Sequence, residues 1–400
     1  MRVSNLDGTK IYCFGLVHFI NPYFCRMIQI KEVTTKKDLR TFVHFPNQLY
    51  KGNSFYVPQI ESKERDTLTP AKNHAFEVCE GKYWLACNEK GEAVGRVAGI
   101  INHKYNETSG KKICRFGWID FVDDREVSKA LLETVEHYAK EKGMDTMNGP
   151  MGFLEFDEAG ILVEGFDKLP TVYGKYNAPY YGKHLTDLGY IKDADYVEYL
   201  IKVPEVIPER YERMAQLVSV KNSLHQAEFH NRADLEPYLD GLFHCLNSAY
   251  SQLHGFSELS AGQCDDLKKQ FLANINVDYV SIVLDAEERV IGFGVALPSL
   301  SKAMQKAKGS LLPFGWMHML KALRQNDTID LLLIAIDEKY KNKGVNAMIF
   351  DKFAKGITKN GIKYIESTRE LEDNTSVQNL WRYLEHNLTK RARTYIKMIK

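Results

Sequence analysis

The sequence predicts an α/β protein with mixed sheets, built as two domains that share one order of elements. Three observations predict it. The chain has 400 residues, more than one hydrophobic core ordinarily organises. Segments of strand-like alternation and of helical spacing follow one another along its length. A proline-flanked stretch, Val203–Pro208, separates two runs of elements that repeat the same order.

In the first run Ile28–Val33 alternates as a strand and Asp38–Leu49 has helical spacing. Tyr83–Cys87 and Ala93–Ile101 form a hairpin across Asn88–Gly91. Cys114–Val122 is a strand, Val127–Ala139 an amphipathic helix stopped at Gly143, and Thr146–Pro150 a short strand. Tyr180–Leu188 is a helix and Tyr196–Val203 a closing strand.

In the second run Leu224–Phe229 is a strand, and Leu235–Tyr250 and Gln263–Asn274 are helices. Tyr279–Leu284 and Val290–Leu297 form a hairpin. Asp330–Ile336 is nearly all apolar, as a strand buried on both faces should be. Asn346–Ala354 is a helix, Tyr364–Glu366 a strand, Val377–Leu384 a helix and Thr394–Ile399 a last strand. The expected domains are 27–203 and 210–400, joined by a linker at 204–209. Residues 299–327 are an insertion in the second domain. Residues 1–26 read as a non-native or disordered extension, because the first clean strand pattern starts beyond Met27.

Composition excludes several classes. Hydrophobic and charged fractions of 44% and 26% are those of a folded globular protein. A net charge of +1 argues against a nucleic-acid partner. Seven scattered cysteines without a C-x-x-C pair argue against disulfides and zinc, and for a cytoplasmic setting. No His/Glu spacing supports a metal, and no serine or cysteine sits in a nucleophile signature. The expected chemistry is therefore direct transfer without a metal or a covalent intermediate.

The order of strand, helices, hairpin, long strand, glycine turn and helix resembles the GNAT acyltransferase superfamily. That family holds the pyrophosphate of coenzyme A on a Gln/Arg-x-x-Gly-x-Gly/Ala turn. The matching stretch is Lys341-Asn342-Lys343-Gly344-Val345-Asn346, where Lys341 and Asn346 depart from the pattern. Glycine lets backbone N–H groups converge on phosphate, and a helix N-terminus adds positive potential. The resemblance implies that Leu333, Ile334, Ile336, Lys341, Lys343, Gly344, Val345 and Asn346 contact the cofactor. The first half offers Asp123-Asp124-Arg125-Glu126 at the matching place, which suits a helix start and would repel a phosphate.

The first half is similar to a bacterial tandem-GNAT group that includes bacterial ceramide synthases. PAKNHAF at Pro70–Phe76, GPMGF at Gly149–Phe153, DEAGILVEGFD at Asp157–Asp167 and YNAPYY at Tyr176–Tyr181 carry that similarity. It implies N-acylation of an amine by a fatty acyl thioester, either acyl-CoA or acyl carrier protein. In the ceramide branch, a part of sphingolipid metabolism, the amine is a sphingoid base. Two rival readings are a catalytically degenerate lipid-binding module and an aminoacyl-tRNA-dependent transferase.

Amine acylation needs a base to take the ammonium proton, and a carboxylate among apolar neighbours is a good one. Within the matching motif Asp157 and Glu164 are the candidate bases, and Tyr181 is the candidate acid. In the second half the GNAT pattern implies a catalytic tyrosine where this sequence has Trp381, with Tyr383 two residues on. Leu312, Phe314, Trp316 and Met317 lie in the insertion among lysines, and they suit an acyl-chain groove or a peripheral contact with the inner membrane. Acyl chain length, acceptor amine and oligomeric state stay open at this level.

Overall fold

The computed structural model describes residues 28–154, 157–251, 256–374, 378, 381 and 384–399. The 1–26 segment, Tyr383 and most of the helix expected at Val377–Leu384 lie outside these residues. The fold is a mixed α/β arrangement on one continuous sheet. The first half supplies β1 (Gln29–Glu32), β2 (Cys79–Cys87), β3 (Ala93–Asn102), β4 (Ile113–Phe121), β5 (Thr146–Gly149), β6 (Ile161–Glu164) and β7 (Ile191–Lys202). The second supplies β8 (His225–Gln226), β9 (Val280–Leu284), β10 (Val290–Pro298), β11 (Thr328–Ile336), β12 (Tyr364–Ser367), β13 (Glu370–Leu371) and β14 (His386–Met398).

The strand order is β1-β2-β3-β4-β5-β14-β7-β12-β11-β10-β9-β8. Each half contains one parallel pair, β4 with β5 and β11 with β12, among antiparallel neighbours. The centre of the sheet is an exchange. β14, from the end of the second half, lies between β5 and β7 of the first. β7, from the end of the first half, lies between β14 and β12. Each half thus completes its sheet with the other's last strand.

The helices of the first half are α1 (Lys36–Leu49), α2 (Glu61–Thr67), α3 (His103–Ser109), α4 (Arg125–Glu141) and α5 (Tyr181–Asp187). Those of the second are α6 (Glu209–Asn222), α7 (Leu239–Tyr250), α8 (Ala261–Asn274), α9 (Ser301–Ala307), α10 (Gly315–Arg324) and α11 (Val345–Lys359). None is long and apolar enough to cross a membrane.

Helix α4 starts as its sequence requires: Asp124 caps it, accepting from the Glu126 N–H at 2.9 Å. Its buried stripe of Val127, Leu131, Leu132 and Val135 packs on Trp84, Val97 and Phe116. On the second half's sheet α11 does the same work, placing Val345, Met348, Ile349 and Phe353 against Val283, Ile291 and Ile329.

Several elements depart from the sequence pattern. Helix α6 is one the pattern did not indicate. It buries only Ala215 and Val218 and leaves Met214, Leu217 and Val220 exposed, so its apolar residues trace no inward stripe. β6 lies between Pro150 and Tyr180, where the sequence pattern indicated no element, and pairs with β14. β14 itself runs from His386, eight residues before the expected start at Thr394, because its first part carries charges that the sheet buries.

Candidate functional site

The two parallel pairs part in the same way and end differently. In the first half β4 and β5 pair through Arg115 and Asn148 and then separate. The chain itself fills the gap. The Met151 N–H bonds to the Phe116 carbonyl at 2.9 Å, and Arg115 donates to the Gly152 and Phe153 carbonyls at 3.2 and 3.1 Å. A Cβ on Gly117 would stand 2.3 Å from the Met151 carbonyl oxygen, so the fit admits only glycine there.

In the second half β11 and β12 pair through Leu331 and Ser367 and then part around an open space. A bulge at Val295/Ala296 leaves Leu332 outside the register. The cavity there measures about 380 Å³. Leu332, Leu333 and Ile334 of β11 form one wall, and Leu242, Leu246 and Tyr250 of α7 another. The first half contributes Met151, Asp157, Tyr173 and Tyr196. Both halves therefore build one mostly apolar chamber, within the roughly 300–1,000 Å³ usual for small-molecule sites.

Polar groups on the walls are few. Glu370 of β13 is the most unusual of them. Neither of its carboxylate oxygens has a hydrogen-bond partner among the described residues. Burial pushes its pKa up to about 8. The indole N–H of Trp381 is also buried without a partner among the described residues. Asp157 accepts the Leu154 N–H at 2.9 Å. Burial raises its pKa to about 6, with the Leu154 and Phe153 N–H groups pulling the other way.

Arg369, beside Glu370, is fully committed. It pairs with Glu198 at 3.2 Å and donates to the carbonyls of Ala159, Gly160 and Lys175. It fixes the first-half loop that carries Asp157 onto the second-half strand that carries Glu370.

The Lys341–Asn346 turn follows β11. Gly344 adopts φ +82 and precedes α11, whose N-terminus no side chain caps. Lys341 pairs with Glu338, and the Lys343 ammonium lies 4.4 Å from the centre of the Tyr340 ring. The turn therefore joins backbone donors, a helix N-terminus and two lysines, a combination suited to phosphate. Leu333 and Ile334 line the cavity, whereas Ile336 packs on the α11 core and Val345 is buried in it.

The other sequence candidates stand elsewhere. Glu164 is exposed on β6 and pairs with Arg391 at 3.2 Å. Tyr181 is buried in the first-half core. Its hydroxyl lies 2.6 Å from that of Tyr50 and accepts the Phe121 N–H at 3.0 Å. The neighbouring Asp120 is buried, which favours its neutral form. Lys175 at 3.1 Å and Arg96 at 2.7 Å outweigh that and hold it below the ordinary carboxylate range. Neither Glu164 nor Tyr181 touches the cavity. Leu312, Phe314, Trp316 and Met317 are exposed around the start of α10, outside it. Among the described residues no group of three metal-ligating side chains occurs.

The sequence pattern missed Glu370. It sits between Arg369 and Leu371, close to Glu372 and Asp373, where a run of charge looks solvated. Only the exchange that pairs β13 with β7 buries it.

No family model matches the chain. Two curated bacterial proteins do. Protein YghO of Escherichia coli (strain K12) is 26% identical over 377 residues, 92% of this chain and 95% of that protein. The bacterial ceramide synthase of Caulobacter vibrioides (strain NA1000 / CB15N) is 28% identical over 301 residues, 74% of this chain and 77% of its own length. Among solved structures, a tandem GNAT protein from the clavulanic acid biosynthesis pathway superposes with a TM-score of 0.54 at 9% identity, covering 94% of this chain and 99% of that one. A GCN5-related N-acetyltransferase from Sphaerobacter thermophilus gives 0.51 at 9% identity, covering 93% and 96%.

The fold is therefore that of the tandem GNAT proteins. In sequence the chain is similar to a bacterial group that includes a ceramide synthase.

Proposed function

We propose that this protein is an N-acyltransferase that moves a fatty acyl group from an acyl thioester to the amine of a lipid, in the manner of a ceramide synthase. One observation carries the reading. A largely apolar cavity opens where β11 and β12 part, and its wall holds a carboxylate, Glu370, and a donor, Trp381, that have no hydrogen-bond partner among the described residues. An acyl chain gains about 0.8 kcal/mol for each methylene it buries in such a space. The similarity to a protein named as a bacterial ceramide synthase supports the acceptor class.

In this reading the thioester's carrier phosphates lie on the Lys341–Asn346 turn and the N-terminus of α11. The acyl chain lies along Leu332, Leu333 and Ile334. Glu370 takes one proton from the acceptor's ammonium group, and Asp157 is the second carboxylate within the chamber. The free amine attacks the thioester carbonyl, forming the C–N bond. The C–S bond then breaks, and the leaving thiolate takes the remaining surplus proton from nitrogen. Glu370 returns its proton to solvent. A base that titrates near 8 matches an amine that must be deprotonated close to neutral pH. The protein works at the cytoplasmic face of the membrane that supplies its acceptor.

The test is direct. Purified protein is incubated with palmitoyl-CoA or palmitoyl acyl carrier protein and sphinganine, and the extract is analysed by mass spectrometry. N-palmitoyl sphinganine, lost in Glu370→Gln, is the expected product. Tight binding of the thioester without turnover of any amine would instead define a lipid-binding protein and end the enzymatic reading.

A further inference from the structure

The 299–326 segment contains Lys302, Lys306, Lys308, Lys321 and Arg324 and no aspartate or glutamate. All five cations are exposed, and none forms an ion pair among the described residues. Between them the α9–α10 turn and the first turns of α10 present Leu312, Phe314, Trp316, Met317 and Leu320, exposed by 76%, 68%, 46%, 51% and 42%. The opposite side of α10 is packed: Met319, Ala322 and Leu323 sit on Val57, Ile60 and Met304. The helix is thus anchored by one side and offers solvent an aromatic and aliphatic tip ringed by positive charge. The carboxylate that approaches Gly309, Glu61, is already engaged by His44 and Asn47.

The insertion also borders the cavity. Leu297 lines the cavity at the end of β10, and α9 begins four residues later. Ser301 donates to the Pro170 carbonyl at 2.7 Å, and Val172 packs on the insertion while its neighbour Tyr173 lines the cavity.

We propose that the α9–α10 insertion docks on an anionic phospholipid bilayer, with its apolar tip among the acyl chains, and passes chain-bearing substrate into the adjoining cavity. Aromatic and aliphatic side chains beside unpaired lysines are what a negatively charged bilayer surface binds. The delivery step rests on the acyltransferase reading; the docking step does not.

Co-sedimentation of the full chain with vesicles tests it, using phosphatidylcholine mixed with phosphatidylglycerol against phosphatidylcholine alone. Binding to the mixed vesicles only, weakened by salt, is expected. Phe314→Ser combined with Leu320→Ser, and separately Lys306→Glu combined with Lys308→Glu, should each lower it at least ~10-fold. All four side chains are exposed, so unchanged thermal unfolding confirms that the variants fold. Wild-type protein that ignores the mixed vesicles overturns the proposal, as do variants that bind them normally. Variants that lose only the capture of acyl carrier protein overturn it in favour of an acidic protein partner. Turnover of a short, water-soluble amine without vesicles should survive in both variants. Its absence in the wild type would count against the enzymatic reading and leave the vesicle result standing.

Discussion

Lys390 and Glu198 form an ion pair at 3.1 Å with both side chains 1% exposed, and they come from opposite halves of the chain. Lys390 also pairs with Glu366, and Glu198 with Arg369. Burial alone would lower the pKa of Lys390, but Glu198 and Glu366 outweigh it and hold the pKa above the ordinary lysine value. A buried pair of this kind adds little over an apolar replacement, yet loss of one partner strands the other. Lys390→Met should therefore cost about 3–5 kcal/mol in denaturant unfolding. Lys390→Met with Glu198→Gln and Glu366→Gln should recover part of that loss.

Glu370 gives a pH prediction with a defined sign. Its folded pKa, about 8, lies above the ordinary glutamate value of 4.5. The folded state thus holds the proton that the unfolded state releases, and stability falls as pH rises between those values. Activity should move oppositely, rising as the carboxylate ionises. Glu370→Gln should abolish turnover and flatten the stability loss across that window, as measured by unfolding at several pH values. A variant that keeps wild-type turnover would remove Glu370 from the chemistry.

The phosphate turn is tested by binding. Gly344 has φ +82, and an added Cβ would stand 2.8 Å from Val218 Cγ2. Gly344→Asp adds strain, crowding and a negative charge where phosphate is expected. It should weaken coenzyme A binding by at least ~10-fold in a calorimetric titration, and Lys341→Ala with Lys343→Ala should do so more mildly. Unchanged affinity in both would move the carrier site elsewhere.

Chain length should respond to the cavity wall. Leu246 of α7 lines the chamber across from β11. Leu246→Trp should shift the preferred acyl thioester to shorter chains in a competition assay. The cost in stability is about 1–3 kcal/mol, typical of overpacking.

These residues also show what a sequence discloses. The hairpin of β2 and β3 was legible because Asn88 organises its own turn, accepting the Lys90 and Glu92 N–H groups at 3.0 Å each. The run Asp330–Ile336 was legible as a strand because its composition is local information, but Leu332, Leu333 and Ile334 are half-buried because they face the cavity. β14 was half hidden: Lys390 reads as a surface residue until Glu198 and Glu366 are brought to it from distant positions. Glu370 was hidden for the same reason, since its burial depends on a strand 173 residues earlier in the chain, where it pairs with Val197. Tyr181 shows the reverse. Its motif stands out in sequence, and the structure places the hydroxyl in a bonded cluster with Tyr50 and Asp120 inside the first-half core.

The reciprocal placing of β7 and β14 has a consequence for synthesis. A ribosome delivers β5 and β7 long before His386–Met398. Until then the first half has a gap beside β5, with backbone donors and acceptors unpaired and Glu198 without its lysine. Such an unfilled edge invites pairing with other nascent chains. The sheet can therefore close only after β14 has left the ribosome, and the yield in the cell should depend on whatever shields that gap in the interval.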